Sequence, residues 1–204
     1  MNMTRKKILD VSLELFSQKG YSAVSIRDIC KYVEIKESSV YYHFESKQSI
    51  FDELLNRFSE IAKAMMARLE DGLTEGQNSL ANGFHTIADC FFEEYLMDDF
   101  CNKVMRIMLI EQFHNEDVYK LYQHWLMNEP LNFQRKIFFV LNAAGIITSG
   151  DSEYLAIKYY APIYFYAQKW LLTGELTEAN KESFRTDAYK HMKLFFEEIG
   201  GCNG

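Results

Sequence analysis

Proline and glycine are scarce in this chain, with 2 prolines and 10 glycines among 204 residues. Both residue types interrupt helices, so their rarity permits long helices almost everywhere. Apolar residues recur at helical spacing, and no alternating strand-like run competes with them. The sequence therefore predicts an all-α protein. The expected helices cover about residues 4–19, 26–33, 37–43, 46–71, 77–97, 99–113, 116–128, 130–144, 152–173 and 178–199.

The totals are those of a globular protein, with 48% hydrophobic and 25% charged residues. The chain is long enough for one large domain or two small ones with an apolar core. No run of about 18 apolar residues occurs, and the basic, amphipathic N-terminus does not look like a secretory signal. We therefore expect a cytoplasmic protein without a membrane span. None of the four cysteines are in CxxC spacing, and we expect reduced thiols at Cys30, Cys90, Cys101 and Cys202.

The net charge of −7 is distributed unevenly along the chain. Residues 1–50 contain eight Lys and Arg against six Asp and Glu, a net charge of +2, and the remainder therefore carries −9. A mildly basic head on an acidic body indicates that only the head meets a polyanion such as nucleic acid.

Two short helices joined by a tight turn are predicted near the N-terminus. Ser25 opens the first of them as part of a capping box, and a turn of three to four residues precedes the second, at about residues 37–43. Two such helices form a helix-turn-helix, which cannot bury its own apolar faces. We expect the helix at about residues 4–19 to cover these faces with Ile8, Leu15 and Phe16.

The second helix of a helix-turn-helix enters the DNA major groove, where its N-terminal residues reach base edges. With Val40 and Phe44 facing inward, residues 38–43 carry outward hydroxyl and imidazole groups suited to phosphates and bases. Lys47 falls in the first turn of the next helix, where the helix dipole also attracts a phosphate. The alternative is that the aromatic rings form a patch packed on another helix. The candidate DNA-binding residues are Ser25, Lys36, Ser38, Ser39, Tyr41, Tyr42, His43 and Lys47.

A resemblance to the N-terminal DNA-binding domain of TetR-family transcriptional regulators is carried by the stretch ILDVSLELFSQKGYSAVSIRDICKYVEIKESSVYYHFESKQSIFDELL. It covers about residues 5–58 and joins three motifs at the family's spacings: Phe16…Gly20-Tyr21, Ser25-Ile-Arg-Asp-Ile, and Tyr41-Tyr42-His43-Phe44…Ser46-Lys47. The resemblance implies an all-helical homodimer that usually represses transcription from a palindromic operator. It also implies a C-terminal domain that binds a small molecule and thereby releases the DNA. The DNA-contacting positions that it implies are Tyr41, Tyr42, His43 and Lys47.

Three residues depart from the family's pattern where DNA is read. The turn usually carries glycine where this chain has Glu34, and the second helix usually follows Ser or Thr where Lys36 stands. Glu37 places a carboxylate near the duplex, where it can accept from a cytosine amine or repel phosphate. These departures motivate a second hypothesis, a protein-interaction co-regulator on the same fold with weak or no DNA binding.

We predict a helix-turn-helix domain at residues 1–47 and a helical effector-binding and dimerisation domain at residues 48–204. Beyond residue 70 no specific motif occurs, but the body is rich in Phe, Tyr and Met. Such residues can line a ligand pocket or simply fill a core. The candidate pocket residues are Met65, Phe84, Phe91, Tyr95, Met105, Met108, Phe113 and Phe138.

The helices near residues 152–173 and 178–199 are apolar around more than one face and so need more than one partner. In the TetR family the last two helices of each subunit pair with their mates, and the resemblance implies the same interface here. The alternative is a monomer with these helices internal. The candidate interface residues are Tyr160, Tyr164, Trp170, Phe184, Met192 and Phe195.

Catalysis is not expected, since no Ser-His-Asp order, Cys/His pair or glycine-rich phosphate loop stands out. His85, Asp89 and Glu93 recur every fourth residue, which a solvated polar face explains better than a metal site; Glu111 and His114 offer no better case. The expected partners are a double-stranded DNA operator, an unknown small-molecule effector and a second copy of the chain. We expect no cofactor, no metal and no membrane association.

Overall fold

The computed structural model describes residues 2–75, 87–147 and 150–199, and these residues are helical with short connections and no strand. The all-α prediction is therefore confirmed over the described parts of the chain. The predicted helix at 77–97 lies partly outside them. The helices are α1 (Met3–Lys19), α2 (Ile26–Val33), α3 (Glu37–His43), α4 (Lys47–Glu75), α5 (87–91, continued by a π turn at Phe92–Leu96), α6 (Asp99–Glu111), α7 (Glu116–Tyr122, continued by a π turn at Gln123–Asn128), α8 (Glu129–Ala143), α9 (Ser152–Ala167, continued by a π turn at Gln168–Leu172) and α10 (Glu178–Glu198).

The starts of the first two helices follow from their capping residues. The helix expected from about residue 4 begins at Met3 instead: Asn2 is its cap, and the Asn2 side-chain oxygen accepts from the backbone N–H of Thr4 at 2.9 Å. Asparagine is at least as good a cap as threonine, so the helix begins earlier. The capping box at the start of α2 is confirmed, with the Ser25 hydroxyl accepting from the Asp28 N–H and the Asp28 carboxylate accepting from the Ser25 N–H.

The described chain forms two compact units, the first of which comprises Met1–Ala62 and Asp99–Tyr122. Within it α1 packs on α2, α3 and α6, so α1 is covered on several sides. This explains why its apolar residues are not confined to one stripe. The first unit thus contains the predicted three-helix head and also the distant helix α6. Its largest fully buried side chains are Ile8, Phe16, Ile29, Ile50, Phe51, Phe58, Met105, Ile107 and Met108.

The second unit comprises Lys63–Asp98 and Gln123–Gly204, and is built on α8, α9 and α10. Helix α9 packs on both α8 and α10. Helix α10 begins after Thr177, whose side chain caps it by accepting from the Asn180 N–H. An ion pair joins Arg185 of α10 to Glu93 beside α5, with Nε and Oε1 2.6 Å apart. The core of the second unit is aromatic, and the Phe92, Phe138 and Phe184 side chains are fully buried there.

The described helices and cysteines bear on two expectations from the sequence, the lack of a membrane span and the reduced thiols. None of the described helices is both long and apolar enough to cross a lipid bilayer. Among the described cysteines, Cys30 and Cys101 are buried and no disulfide is formed. Cys202 lies outside the described residues.

The turn of the helix-turn-helix contains Glu34 in the left-handed conformation, with φ 64° and ψ 44°. Its N–H and that of Ile35 both donate to the Cys30 carbonyl, which satisfies the end of α2. This is the position where the TetR-family pattern usually carries glycine. A side chain with a Cβ is strained in this region by about 1–2 kcal/mol, and glycine is not.

We therefore expect Glu34→Gly to raise the free energy of unfolding by about 1 kcal/mol, because the strain is relieved and part of the gain is lost to backbone entropy. Urea denaturation of the full chain measures the change. Lys31→Gly, at an exposed helical position of α2, is the control and is expected to lower stability by about 1 kcal/mol. A loss of stability in Glu34→Gly would contradict the prediction.

Candidate nucleic-acid interface

Helix α3 divides cleanly into a buried and an exposed side. Val40 is fully buried and Phe44, just after the helix, is also buried. Tyr41 and Tyr42 are 53% and 83% exposed, and Ser38 is exposed beside them. The aromatic rings of α3 therefore do not pack on another helix within the first unit. They form an outward surface with hydroxyl groups, as the DNA-binding interpretation requires.

The position of α3 is held by α1 and α4. The Arg5 guanidinium lies 4.7 Å from the centre of the Phe44 ring and forms a two-pronged ion pair with Glu53 of α4. The Lys7 ammonium donates to the Val33 carbonyl at 3.0 Å, at the end of α2. These contacts fix both helices of the helix-turn-helix to the flanking helices.

Lys47 and Ser25 both have partners inside the head. The capping role of Ser25 was predicted from the sequence, but the partners of Lys47 were not. The Lys47 ammonium donates to the carbonyls of Tyr21 and Val24 at 2.9 and 2.7 Å, and lies 4.0 Å from the centre of the Tyr21 ring. Burial lowers the pKa of Lys47, and the charge of Glu111 opposes that shift. The Ser25 hydroxyl is engaged in the α2 capping box. Both side chains therefore support the α1–α2 loop and the start of α2, in addition to any contact with phosphate.

Glu111 is a buried carboxylate that the sequence did not assign to the head. It is 3% exposed at the end of α6, and its two oxygens accept from the backbone N–H and the hydroxyl of Ser22 at 3.1 and 2.9 Å. The two residues are 89 positions apart, so no local pattern could reveal the pairing. Gly20 begins the same loop with φ 85°. Two side chains thus hold the α1–α2 loop. Glu111 accepts from the N–H and hydroxyl of Ser22, and Lys47 donates to two of the loop's carbonyls.

The first turn of α3 is charged. Lys36 precedes the helix and makes no side-chain capping bond, as its sequence predicts. Glu37 is the first residue of the helix, and its Oε1 accepts from the Arg27 Nε of α2 at 3.0 Å. This ion pair bridges the two helices of the helix-turn-helix and is exposed at both ends.

The candidate pocket residues fall into three groups. Met105 and Met108 are fully buried in the first unit, where Phe113 is instead 83% exposed on the α6–α7 turn. Met65, Phe91, Tyr95 and Phe138 are buried in the second unit, and the rings of Phe91 and Tyr95 are 5.4 Å apart. Phe84 lies outside the described residues. The exposed position of Phe113 makes it unsuited to lining an enclosed pocket.

Two buried polar atoms in the second unit have no hydrogen-bond partner among the described residues: Trp125 Nε1 and Gln134 Oε1. Buried polar groups are normally paired, so an unpaired donor and acceptor are unusual. Close to Trp125 the Tyr160 hydroxyl donates to the Leu126 carbonyl at 2.8 Å. The two unpaired atoms were not predicted from the sequence, because nothing in a helical pattern marks an unsatisfied atom.

The candidate interface residues are for the most part covered within one subunit. Phe184, Met192 and Phe195 are buried in the second unit, and Tyr160 is buried as well. Tyr164 and Trp170 are only partly exposed. The exposed apolar side chains of α9 are other residues, which lie next to Tyr164 around the helix. They are Tyr154, Ile157, Ala161 and Phe165.

The carboxylates once considered as metal ligands have protein partners. Asp89 accepts from the Tyr189 hydroxyl, and Glu93 pairs with Arg185. His85 lies outside the described residues. No cluster of three His, Cys, Asp or Glu residues within residues 2–75, 87–147 and 150–199 is arranged to hold a metal ion.

A helix-turn-helix whose second helix exposes tyrosines and serine has the architecture of the helix-turn-helix class of DNA-binding proteins. Residues 8–54 match the family model for "Bacterial regulatory proteins, tetR family". The resemblance to the TetR-family DNA-binding domain that is expected from the sequence is thus confirmed over this N-terminal segment.

The curated relatives match a segment of similar length. The biofilm operon icaADBC HTH-type negative transcriptional regulator IcaR of Staphylococcus aureus (strain Newman) is 49% identical over 49 residues, which cover 24% of this chain and 26% of IcaR. The Staphylococcus epidermidis protein of the same description is 45% identical over 47 residues, 23% of this chain and 25% of its own length. The alignments thus span only about a quarter of these relatives.

Solved structures share the fold over nearly the whole chain. A protein described as a TetR-family transcriptional regulator from Mesorhizobium loti has a TM-score of 0.66 at 19% identity, covering 97% of this chain and 98% of its own. SmeT, repressor of the multidrug efflux pump SmeDEF in Stenotrophomonas maltophilia, has a TM-score of 0.66 at 18% identity in its triclosan complex, covering 95% and 91%. At these identities the similarity establishes a shared fold.

Proposed function

We propose that the protein is a dimeric, ligand-responsive transcriptional repressor that binds a palindromic operator through α3. The observation that carries this proposal is the exposure of Tyr41, Tyr42 and Ser38 on a helix whose other side is anchored in the core. Tyrosine can contact phosphate through its hydroxyl and base edges through its hydroxyl and ring, and these side chains stand on the helix that enters the major groove. The IcaR relatives are described as negative transcriptional regulators, which supports repression rather than activation.

The proposed effector is a small aromatic molecule that can both donate and accept hydrogen bonds. The unpaired Trp125 Nε1 offers a donor and the unpaired Gln134 Oε1 offers an acceptor in the second unit, whose core is rich in aromatic side chains. A ligand that satisfies either atom would bind preferentially to a conformation that presents it. SmeT, which has the same fold, forms a complex with triclosan.

The proposed release of DNA is a shift of population between conformations. Helix α4 begins directly after the recognition helix and continues for 29 residues, and α6 holds the α1–α2 loop through Glu111. A ligand that favours another arrangement of these helices would move the two heads of a dimer away from successive major grooves. Operator affinity would then fall although α3 itself is unchanged.

The proposed dimer interface is the exposed apolar stripe of α9, defined by Tyr154, Ile157, Ala161 and Phe165. These residues follow one another at intervals of three or four positions, so they lie along one face of the helix. A contiguous apolar face of this kind marks a site of protein association. A second copy of the chain would supply the second recognition helix, which binds the other half-site of a palindromic operator.

Tyr42→Ala is expected to weaken binding to an operator-containing duplex by about tenfold or more, because a central aromatic contact is removed. Fluorescence anisotropy with labelled duplex measures the affinity. The control is Tyr119→Ala, which removes an exposed tyrosine from α7 and is expected to leave affinity unchanged. Equal affinities for the wild type and Tyr42→Ala would remove Tyr42 from the DNA contact surface.

A salt titration of the wild type on generic duplex separates the repressor from a co-regulator that contacts another protein. A DNA-binding protein releases counterions, so its affinity falls steeply as salt concentration rises. Absence of binding, or a flat response to salt, would favour the co-regulator and exclude the proposed repressor.

A further inference from the structure

Glu37 is the acidic residue of the recognition helix, and it occupies the first position of α3. Its side chain is 46% exposed, and Tyr41 lies one turn further along the same face and is also exposed. The N-terminal residues of a recognition helix are those that reach base edges in the major groove. A carboxylate therefore stands where base identity is read.

A carboxylate at this position would normally be repelled by the phosphate backbone. Here the Arg27 guanidinium donates to Glu37 Oε1 through Nε at 3.0 Å, so the pair carries no net charge. The Arg27 side chain is 85% exposed and comes from the other helix of the motif. The pair fixes the direction of the carboxylate and offsets the repulsion, which is what a base-reading acidic side chain requires.

A deprotonated carboxylate accepts hydrogen bonds and cannot donate them. In the major groove, guanine presents two acceptors and thymine one acceptor, so neither suits Glu37. Adenine presents a donor amine beside the N7 acceptor, and that acceptor repels a carboxylate. Cytosine presents its amine without a neighbouring acceptor on the same base. The chemistry of Glu37 thus favours a single base.

We propose that Glu37 is a specificity-determining residue that selects cytosine at one position of each operator half-site, with Arg27 as the residue that positions it. The inference rests on the proposed DNA binding and adds the base that one side chain reads. The competing interpretation is that Glu37 only ties α3 to α2. A purely structural pair would affect stability and would leave base preference unaltered.

The test is selection of duplexes from a randomised library with the purified full chain, for the wild type and for Glu37→Gln. We expect the wild type to enrich cytosine at one position per half-site by about tenfold or more. Glutamine can pair with the adenine amine and N7 together. Glu37→Gln should therefore shift that one position from cytosine to adenine while the other positions keep their preference.

Glu45→Gln is the matched control, because it removes an exposed carboxylate beside α3 but outside its first turn. It should retain the wild-type preference at every position. Arg27→Ala should weaken the cytosine preference without creating a preference for another base. Thermal unfolding of each variant establishes that it is folded.

Identical preferences for the wild type and Glu37→Gln would overturn the assignment of Glu37, even with tight DNA binding. Enrichment of a base other than cytosine at the position that responds to the substitution would also overturn it. If the wild type enriches no sequence and shows no salt-dependent affinity for generic duplex, the proposed DNA binding itself fails, and this separates the two failures.

Discussion

Replacing Gly20 by alanine is expected to lower the free energy of unfolding by about 2–5 kcal/mol, summed from backbone strain and overpacking. Gly20 has φ 85° and ψ 155°, a region that residues with a Cβ rarely adopt. A Cβ added there would stand 2.5 Å from Glu111 Oε1 and 2.8 Å from Ile110 Cγ2. The Glu111 carboxylate cannot move away without giving up its two bonds from Ser22.

Gly145→Ala is the control for this change. Gly145 also has a positive φ of 70°, but nothing lies within 4 Å of an added Cβ. It should therefore cost only the backbone strain, about 1–2 kcal/mol. Urea denaturation of both variants gives the comparison. Similar losses for the two variants would show that the contact with Glu111 does not constrain the loop.

The double substitution Ile157→Glu with Phe165→Glu is expected to convert the proposed dimer into a monomer and to weaken operator binding by about 100-fold or more. Both side chains lie on the exposed apolar stripe of α9. In a dimer the new carboxylates would be buried against apolar side chains and against one another, which costs several kcal/mol per interface. A monomer engages one half-site and loses the contribution of the second.

Sedimentation velocity measures the oligomeric state, and anisotropy measures the affinity for duplex. Phe113→Glu is the matched control, because it also places a carboxylate on an exposed aromatic position, on the α6–α7 turn. It should remain a dimer with unchanged affinity. A wild type that sediments as a monomer, or a double variant that remains dimeric, would exclude the α9 stripe as the interface.

Periodicity and capping predicted most of the helices, because both depend on residues a few positions apart. The Ser25 box and the helix at residues 37–43 are where the sequence places them. The left-handed turn at Glu34 was also foreseen as a site of strain, and its φ of 64° agrees. The π turns that continue α5, α7 and α9 were not predicted, since no simple sequence signal distinguishes them from α-helix.

The partners of charged side chains could not be predicted, because they depend on pairs that are distant in sequence. Lys47 resembles a residue that faces phosphate, yet its ammonium is bound by two loop carbonyls. In the sequence nothing distinguishes Glu111 from the other acidic residues of the body, yet its side chain is buried and accepts from the Ser22 hydroxyl. Likewise, the apolar pattern of α10 marks Phe184 and Phe195 as buried but does not say by which neighbour.

Helix α6 belongs to the same compact unit as the three-helix head, although about 80 residues separate it from α1. A fragment cut at residue 47 would therefore leave the face of α1 that α6 covers in contact with water, and would lose Glu111. Grafting this head onto the body of another regulator is feasible only if α6 is transplanted with it. In the course of evolution, heads of this kind would exchange together with that helix or be repacked around a new one.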